Sequence, residues 1–417
     1  MQQSGVAPAH TGALGDYRTL AGLLTGYALL SAGNGLLQIL IPLRMGQFNG
    51  SAMALGIVQS CYYIGFILGA AVNRRLIERI GQHRTFVALC AAVSILALGF
   101  GSFDSLVALA AVRLGTGFAF MGLYASIESW LNAVAGNERR GRIFSAYAAV
   151  NYLCIGAGQA LLNIGGSSGT LQFSIVTALF AAAVLPVTLC DGWPPKAAGA
   201  ARGTVPARTW WSATKLMKAA TPLAVPGAMA VGVVYSTFYA LTPLALTQAG
   251  FSTAELSAFM GIASLGVLLL QLPMGRLSDS TDRRQLIRCI ALVSLALSIV
   301  LAMFHDRTMI WIAMLTYVAV TFTQYGLVIS HVNDLTHDEH RVATSTSLLV
   351  IISVGGIIGS STASLLMSIL GIPGLFICNA IAAAVMAVFA TLALRENKQS
   401  KHHWATSVRQ DHRSRRA

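Results

Sequence analysis

Apolar and polar positions alternate along this chain on a long wavelength. Runs of predominantly apolar residues recur at approximately 20–41, 53–72, 85–101, 106–134, 143–164, 172–190, 223–246, 254–273, 286–304, 309–332, 343–370 and 373–394, with short polar stretches between them. A nearly uncharged run of about 18 residues or more is long enough to cross a bilayer as a helix. One buried helix of a soluble domain could mimic one such run, but not twelve. The pattern predicts an all-α membrane protein with twelve transmembrane helices.

The chain also repeats itself at a constant offset of 201 residues. Pro42 falls on Pro243, Gln47 on Gln248, Glu78 on Asp279, Tyr124 on Tyr325, Asn132 on Asn333 and Arg140 on Arg341, without a gap. The repeat predicts two pseudo-symmetric six-helix bundles, 20–190 and 222–394, with an N-terminal tail 1–19, a linker 191–221 and a C-terminal tail 395–417. That architecture belongs to transporters more than to enzymes or receptors.

Composition agrees. The chain is 55% hydrophobic and 10% charged, against about 25% charged residues in soluble domains. A net charge of +13 could suggest nucleic acid, but the distribution excludes it. In the twelve-span topology, 25 of the 28 Lys and Arg fall on one side of the membrane. The other side has Arg44 and Arg307, and Arg113 lies within a span. The positive-inside rule makes the basic side cytoplasmic. The expectation is a multi-pass protein of the inner (plasma) membrane with both termini cytoplasmic. Its first apolar run is a full span, so no cleavable signal peptide is predicted.

The linker is rich in Pro, Gly, Ala and basic residues and reads as flexible. Trp210 and Trp211 beside Lys215 and Lys218 could equally form a short interfacial helix. The basic tail suits attraction to anionic lipid. The six cysteines are scattered without metal or redox spacing and read as small apolar residues. No metal, cofactor or nucleotide motif is present in the sequence.

Gly275-Arg276-Leu277-Ser278-Asp279-Ser280-Thr281-Asp282-Arg283-Arg284 lies between spans 8 and 9. It resembles the loop signature G-x-L-a-D-x-x-G-R-R of the major facilitator superfamily, with Asp282 in place of the second glycine. The first half carries a degraded copy with Glu78, Arg79, Gly81 and Arg84. Arg113 and Gly117 match the superfamily's R-x-x-x-G element in span 4. Glu128-Ser129-Trp130-Leu131-Asn132, followed by Arg140-Gly141-Arg142, is similar to the YcaD-like branch. The resemblance covers 20–394. It implies a proton- or gradient-driven secondary transporter, not an enzyme, and a cytoplasmic latch formed by Glu78, Arg79, Gly81, Arg140, Gly275, Asp279, Arg283 and Arg284. Gly275 would allow close helix approach. Span 5 lacks the Gly-Pro element of drug–proton antiporters.

In that architecture spans 1, 4, 7 and 10 line a central path. Polar residues there recur at helical spacing. The candidates for the substrate cavity are Tyr27, Asn34 and Gln38 in span 1, Arg113 and Tyr124 in span 4, Tyr235 and Tyr239 in span 7, and Tyr317 and Gln324 in span 10. Such groups also hydrogen-bond helices to one another in membrane bundles. A midplane site between repeats is the transporter pattern.

Arg113 and Glu128 are the charges that lie inside spans and away from the span ends. A charge at mid-membrane costs roughly 2.5–3.5 kcal/mol on insertion scales and marks function by default. Fifteen residues of helix separate the two by about 22 Å, too far to pair. Arg113 could hold an anionic group, join a proton relay, or cap carbonyls of a neighbouring helix. Glu128 could carry protons or pair with Arg79, Arg139 or Arg140 at a gate. The resemblance implies a small-molecule substrate, protons and lipid as partners, and a monomer is expected. Its cargo would be a small polar organic solute, with export slightly favoured. A multidrug exporter and a membrane sensor or scaffold without transport are the alternatives.

Overall fold

A computed structural model describes residues 13–47, 51–134, 140–164, 170–189, 214–215, 217, 221–304, 306–336 and 341–414. The described residues are helical almost throughout and contain no strand. The first bundle comprises α1 (Ala13–Gln47), α2 (Ala52–Ile80), α3 (Gln82–Ser102), α4 (Leu106–Val134), α5 (Arg140–Ala160) and α6 (Thr170–Leu189). The second comprises α7 (Ala224–Gln248), α8 (Thr253–Ser280), α9 (Arg283–Met303), α10 (Arg307–Asp334), α11 (Arg341–Leu370) and α12 (Ile372–Ser414).

Eleven of these, searched among the described residues, are long and apolar enough to cross a membrane. The exception is α5, where Ser145, Asn151 and Gln159 lower the hydropathy of an otherwise span-length helix. Asn151 and Gln159 find partners within the protein, so α5 needs less apolar surface than a lipid-facing helix. Helix α6 is interrupted at Ala183, ahead of Pro186. The backbone of α12 stays helical well past the apolar run, which ends at Leu394, through Ser414.

Local sequence sets the ends of the helices. Ser252 and Glu255 form a reciprocal capping box at the start of α8. Asp282 caps α9, and Asp306 caps α10 by accepting from the Thr308 and Met309 amides. Gly81 takes φ +85° between α2 and α3, a conformation that other residues rarely adopt.

The packing repeats with the sequence. Within the first bundle α2 packs on α4, α1 on α5 and α6, and α3 on α4 and α6. Their counterparts are α8 on α10, α7 on α11 and α12, and α9 on α10 and α12. Between bundles α2 packs on α11 and α5 on α8. A pseudo-twofold that exchanges the halves carries one of these interfaces onto the other. Prolines stand at equivalent places within α1 and α7, Pro42 and Pro243.

The two inter-bundle seams have one equivalent contact in common. Ser60 lies 2.9 Å from both Ser360 and Ser361, and a Cβ on Gly56 would meet Ser364. Across the pseudo-twofold, Gln159 accepts from Ser264 at 3.0 Å and Asn163 donates to Ser257 at 3.1 Å. Ser257 is the counterpart of Gly56, and Asn163 that of Ser364. All these contacts lie in one half of the molecule, towards the loops that carry Asp104 and Asp306. That end is poor in basic residues. Its Arg44 pairs with Asp104 at 3.0 Å, and its Arg307 pairs with Glu255.

Candidate functional site

A polar cluster forms where α1, α4 and α5 meet the second bundle. Tyr27 donates to Asn151 Oδ1 at 2.7 Å and stacks on Tyr147 with centroids 4.3 Å apart. Ser31 approaches the same Asn151 oxygen at 3.5 Å. Asn34 donates to the Tyr124 hydroxyl at 3.3 Å, while its own carbonyl oxygen is buried without a partner. The i, i+4, i+7 spacing of Tyr27, Ser31 and Asn34 on α1 therefore does face α4 and α5. Glu128, one turn after Tyr124, interacts with Tyr147 and is half-buried.

The second bundle meets this cluster with aromatic rings. Tyr235 stacks on Phe322 at 4.2 Å and lies 5.7 Å from Tyr325. Tyr239 packs edge-on against Phe238 and Phe322. The Tyr152 and Tyr235 hydroxyls stand 3.5 Å apart and join the bundles. Tyr124, Tyr147, Tyr235, Tyr239 and Tyr325 are each partly exposed despite this depth. The first bundle thus supplies the hydrogen-bonding groups and the carboxylate, and the second supplies an uncharged aromatic wall.

Arg113 sits nearer the charge-poor end, with 1% of its surface exposed. Its Nη2 donates to Gln59 at 2.9 Å and to Gln38 at 3.2 Å. Its guanidinium lies 4.3 Å from the centre of the Tyr62 ring, a cation–π contact that strengthens away from water. Nε and Nη1 have no hydrogen-bond partner. The seat depends on the close approach of α2 to α4. A Cβ on Gly117 would lie 1.9 Å from the Tyr62 carbonyl oxygen, and one on Gly65 1.9 Å from that of Leu114. The glycine of R-x-x-x-G is what lets α2 slide beneath the arginine.

The structure brings Tyr27, Asn34, Tyr124, Tyr235 and Tyr239 together between the bundles, and Gln38 joins Arg113 beside them. It turns part of α10 elsewhere. Gln324 donates to Ser294 of α9 at 3.4 Å, and Thr321 is 2.9 Å from the same hydroxyl. Tyr317, four residues before Thr321, is fully buried, with its hydroxyl towards Ser298 and Thr321. This polar face of α10 looks into the second bundle, and Phe322 and Tyr325 face the interface instead. Sequence reasoning missed Gln59, Tyr62, Tyr147, Asn151 and Tyr152 because it took α1, α4, α7 and α10 as the lining. The spacing of Gln59 and Tyr62, and of Tyr147 and Asn151, was the available signal.

In the loop between α8 and α9, Arg283 bonds Asp279 at 3.1 Å and Ser278 at 3.0 Å, and pairs with Asp334 at the end of α10. Arg284 bonds Asp282 at 3.1 Å and the Ala393 carbonyl of α12 at 3.2 Å. Partial burial opposes the Asp282 charge. The Arg284 side-chain bond, its backbone amide and its charge outweigh that and hold the carboxyl below the usual range. These bonds all lie within the second bundle. A Cβ on Gly275 would meet no atom within 4 Å, so the close approach expected there is not made in this conformation. Glu78 and Arg79 are exposed at the end of α2. The side chain of Arg140 lies outside the described residues.

Two six-helix bundles joined through a polar and aromatic midplane cluster define a solute transporter embedded in the membrane. The chain belongs to the Major Facilitator Superfamily, whose model matches residues 23–349. It is 28% identical over 352 residues to an Escherichia coli O45:K1 protein described as an uncharacterized MFS-type transporter YcaD, covering 83% of this chain and 88% of that one. A Shigella flexneri YcaD matches to the same extent. Among solved structures, a bacterial homologue of the human lysosomal transporter Spinster, inward-facing and unoccupied, superimposes with a TM-score of 0.74 at 14% identity, covering 92% of this chain and 98% of that one. The nucleoside transporter NupG gives 0.72 at 14% identity, covering 91% and 98%. These two likenesses establish the fold. Members of the superfamily are transporters, not enzymes.

Proposed function

We propose that this protein moves a small polar organic solute across the bacterial inner membrane by alternating access, driven by protons and favouring export. The observation that carries the reading is the midplane cluster itself. Hydrogen-bonding groups of α1, α4 and α5 face aromatic residues of α7 and α10, joined across the repeat by Tyr152 and Tyr235. Ion or substrate sites between inverted or parallel repeats occupy this place in secondary transporters.

The conformation described here is inward-facing in this reading. The positive-inside rule puts the basic end in the cytoplasm, and with it both termini. The seams α2–α11 and α5–α8 then close the outer half, while Tyr147, Glu128 and Tyr325, which lie nearer the basic ends of their helices, are partly exposed. Glu128 carries the proton. It stands beside the cluster, in contact with Tyr147. The bonds of Asp279, Arg283 and Arg284 brace the loop between α8 and α9 as a rigid edge of the cytoplasmic face.

Cysteine accessibility tests this without knowledge of the cargo. In a background free of native cysteines, Ser60→Cys should be modified from outside in one state and Tyr147→Cys from inside in the other. A pH gradient should shift the balance between them in the parent and not in Glu128→Gln. A protein in which Ser60→Cys is never reached from outside is a scaffold, not a transporter. Labelling of Asp104→Cys from the cytoplasmic side would overturn the orientation.

A further inference from the structure

Pro42 and Pro243 answer each other in the repeat, but Pro273, inside α8, has Val72 of α2 as its counterpart. A proline in a helix interior offers no N–H to the carbonyl four residues back and crowds it. The Leu269 carbonyl thereby loses its helical donor. Sharp bends in helices occur at such places.

The ties that hold α2 to α4 are also missing from α8. In the first bundle Gly65 and Gly117 bring the two backbones into contact, and Asn73 donates to the Phe118 carbonyl at 2.8 Å. The repeat partners of Gly65, Gly117 and Asn73 are Gly266, Val318 and Met274. A Cβ on Gly266 would lie 3.5 Å from the Ala319 Cβ, an ordinary contact, and a methionine has no donor to replace the Asn73 amide. The other equivalent pairs are pinned. A Cβ on Gly158 would lie 1.9 Å from the Ala32 carbonyl oxygen, between α1 and α5, and one on Gly232 1.9 Å from that of Ile352, between α7 and α11. Among the described residues, α8 and α10 have no such glycine between them.

Pro273 divides α8 into unlike parts. On its outer side Phe259 meets Trp311 of α10 edge-on at 5.6 Å, and Glu255 pairs with Arg307. Past Pro273, no side chain of α8 bonds α10 among the described residues. This arm reaches α10 only through Arg283, which bonds Asp279 and Ser278 and pairs with Asp334. The Asp279 and Asp334 carboxylates are 76% and 58% exposed, and such pairs contribute little. Gly275, Arg276 and Leu277 are exposed. In the outer half a Cβ on Gly156 of α5 would lie 3.4 Å from Ser264 of α8, whereas one on Gly275 would meet nothing within 4 Å.

We propose that α8 is a hinged gate. Its cytoplasmic arm, Met274–Ser280, swings about Pro273 towards α5 and closes the cytoplasmic mouth in the alternate state, while the outer part of α8 moves with α10. The arm is about 10 Å long, so a bend of about 20° at its base displaces its tip by roughly 3–4 Å. This rests on the alternating-access reading and adds to the rocking of the bundles a bend that α2, with Val72 and Asn73, lacks the means to make.

Spin-label pairs in the full-length protein test it, because rigid rocking leaves every distance within one bundle unchanged. Ser280, Leu269 and Ser345 are exposed and belong to the second bundle, and Arg75 is exposed on the first. Ser280–Ser345 should show two distances. Leu269–Ser345, with its first label before the hinge, should show one. Pro273→Ala, which restores the helical donor, should reduce Ser280–Ser345 to one distance, and its melting temperature establishes that it is folded. A single Ser280–Ser345 distance in the parent, in conditions where Arg75–Ser345 shows two, overturns the hinge and leaves the transporter reading standing. Two Ser280–Ser345 distances that persist in folded Pro273→Ala also overturn it. A single Arg75–Ser345 distance in every condition rejects the alternating-access reading, and the hinge with it.

Discussion

Gly115 and Gly117 stand two residues apart on α4, and the structure predicts opposite consequences for the same change. Gly→Ala inside a helix gains about 1 kcal/mol of backbone propensity. At Gly115 a Cβ would lie 3.2 Å from Leu96 Cδ1, the end of a flexible side chain that can yield. Gly115→Ala should therefore be neutral or stabilising, by up to about 1 kcal/mol. At Gly117 the same Cβ would lie 1.9 Å from the Tyr62 carbonyl oxygen and 2.8 Å from its carbon. Backbone cannot yield in that way, so α2 must move away from α4. Overpacking of this kind costs about 1–3 kcal/mol, and displacement of Tyr62 also loosens the cation–π contact with Arg113.

Net of propensity, Gly117→Ala should lower stability by up to about 2 kcal/mol and reduce the exchange between inward- and outward-facing forms. Thermal unfolding in detergent, followed by size exclusion, measures the first effect, and the Ser60 accessibility assay the second. Equal melting temperatures for the two variants would refute the argument that Gly117 exists to admit α2. So would a stable Gly117→Ala protein that still cycles normally.

Arg113→Met introduces the residue that the repeat carries at the equivalent position, Met314. It should fold, lose about 1–3 kcal/mol because the Gln38 and Gln59 acceptors lose their donor, and fail to cycle. Arg113→Lys should be nearly as damaging, because an ammonium lacks the planar guanidinium that lies against the Tyr62 ring. Arg283→Gln should free the end of α10 from the loop, shifting the balance of states more than it changes stability, since exposed ion pairs contribute little. Spin labels across the cytoplasmic face read that shift. Asp282 has a depressed native pKa, so its stabilising contribution is complete above its unfolded value of about 3.9 and is lost as pH falls through the lower native value. The difference in melting temperature between the parent and Asp282→Ala should be constant from neutral pH to about pH 5 and should shrink below about pH 4.

Much of the fold is legible in the sequence because membrane helices must be long and apolar and because the repeat leaves register marks such as Pro42 and Pro243. Helix α5 shows where that reading weakens. Its partners are protein, so Asn151 and Gln159 lower its hydropathy without preventing it from packing between α1 and α8. The site is legible in part. Helical spacing places Tyr27, Ser31 and Asn34 on one face, but it does not say which neighbour that face meets. On α10 the same periodic argument selects Tyr317, Thr321 and Gln324, which meet Ser294 and the interior of the second bundle. The direction of a polar stripe is set by tertiary packing, and polar stripes also serve to join helices. Gln59 is invisible as a partner of Arg113 until the close approach of α2 and α4 at Gly65 and Gly117 is known.

Distance measurements by paired spin labels test alternating access most directly. Met53 and Leu365 are exposed near the charge-poor ends of α2 and α11, and Arg75 and Ser345 near the basic ends of the same helices. Two populations are expected for each pair, and they should change in opposite directions. Where the Met53–Leu365 distance is short, as in the conformation described here, the Arg75–Ser345 distance is long. The alternate state reverses both, and lowering the external pH changes the ratio. A single unchanging distance at both ends, under every condition in which the protein is folded, would contradict transport by rocking of the two bundles.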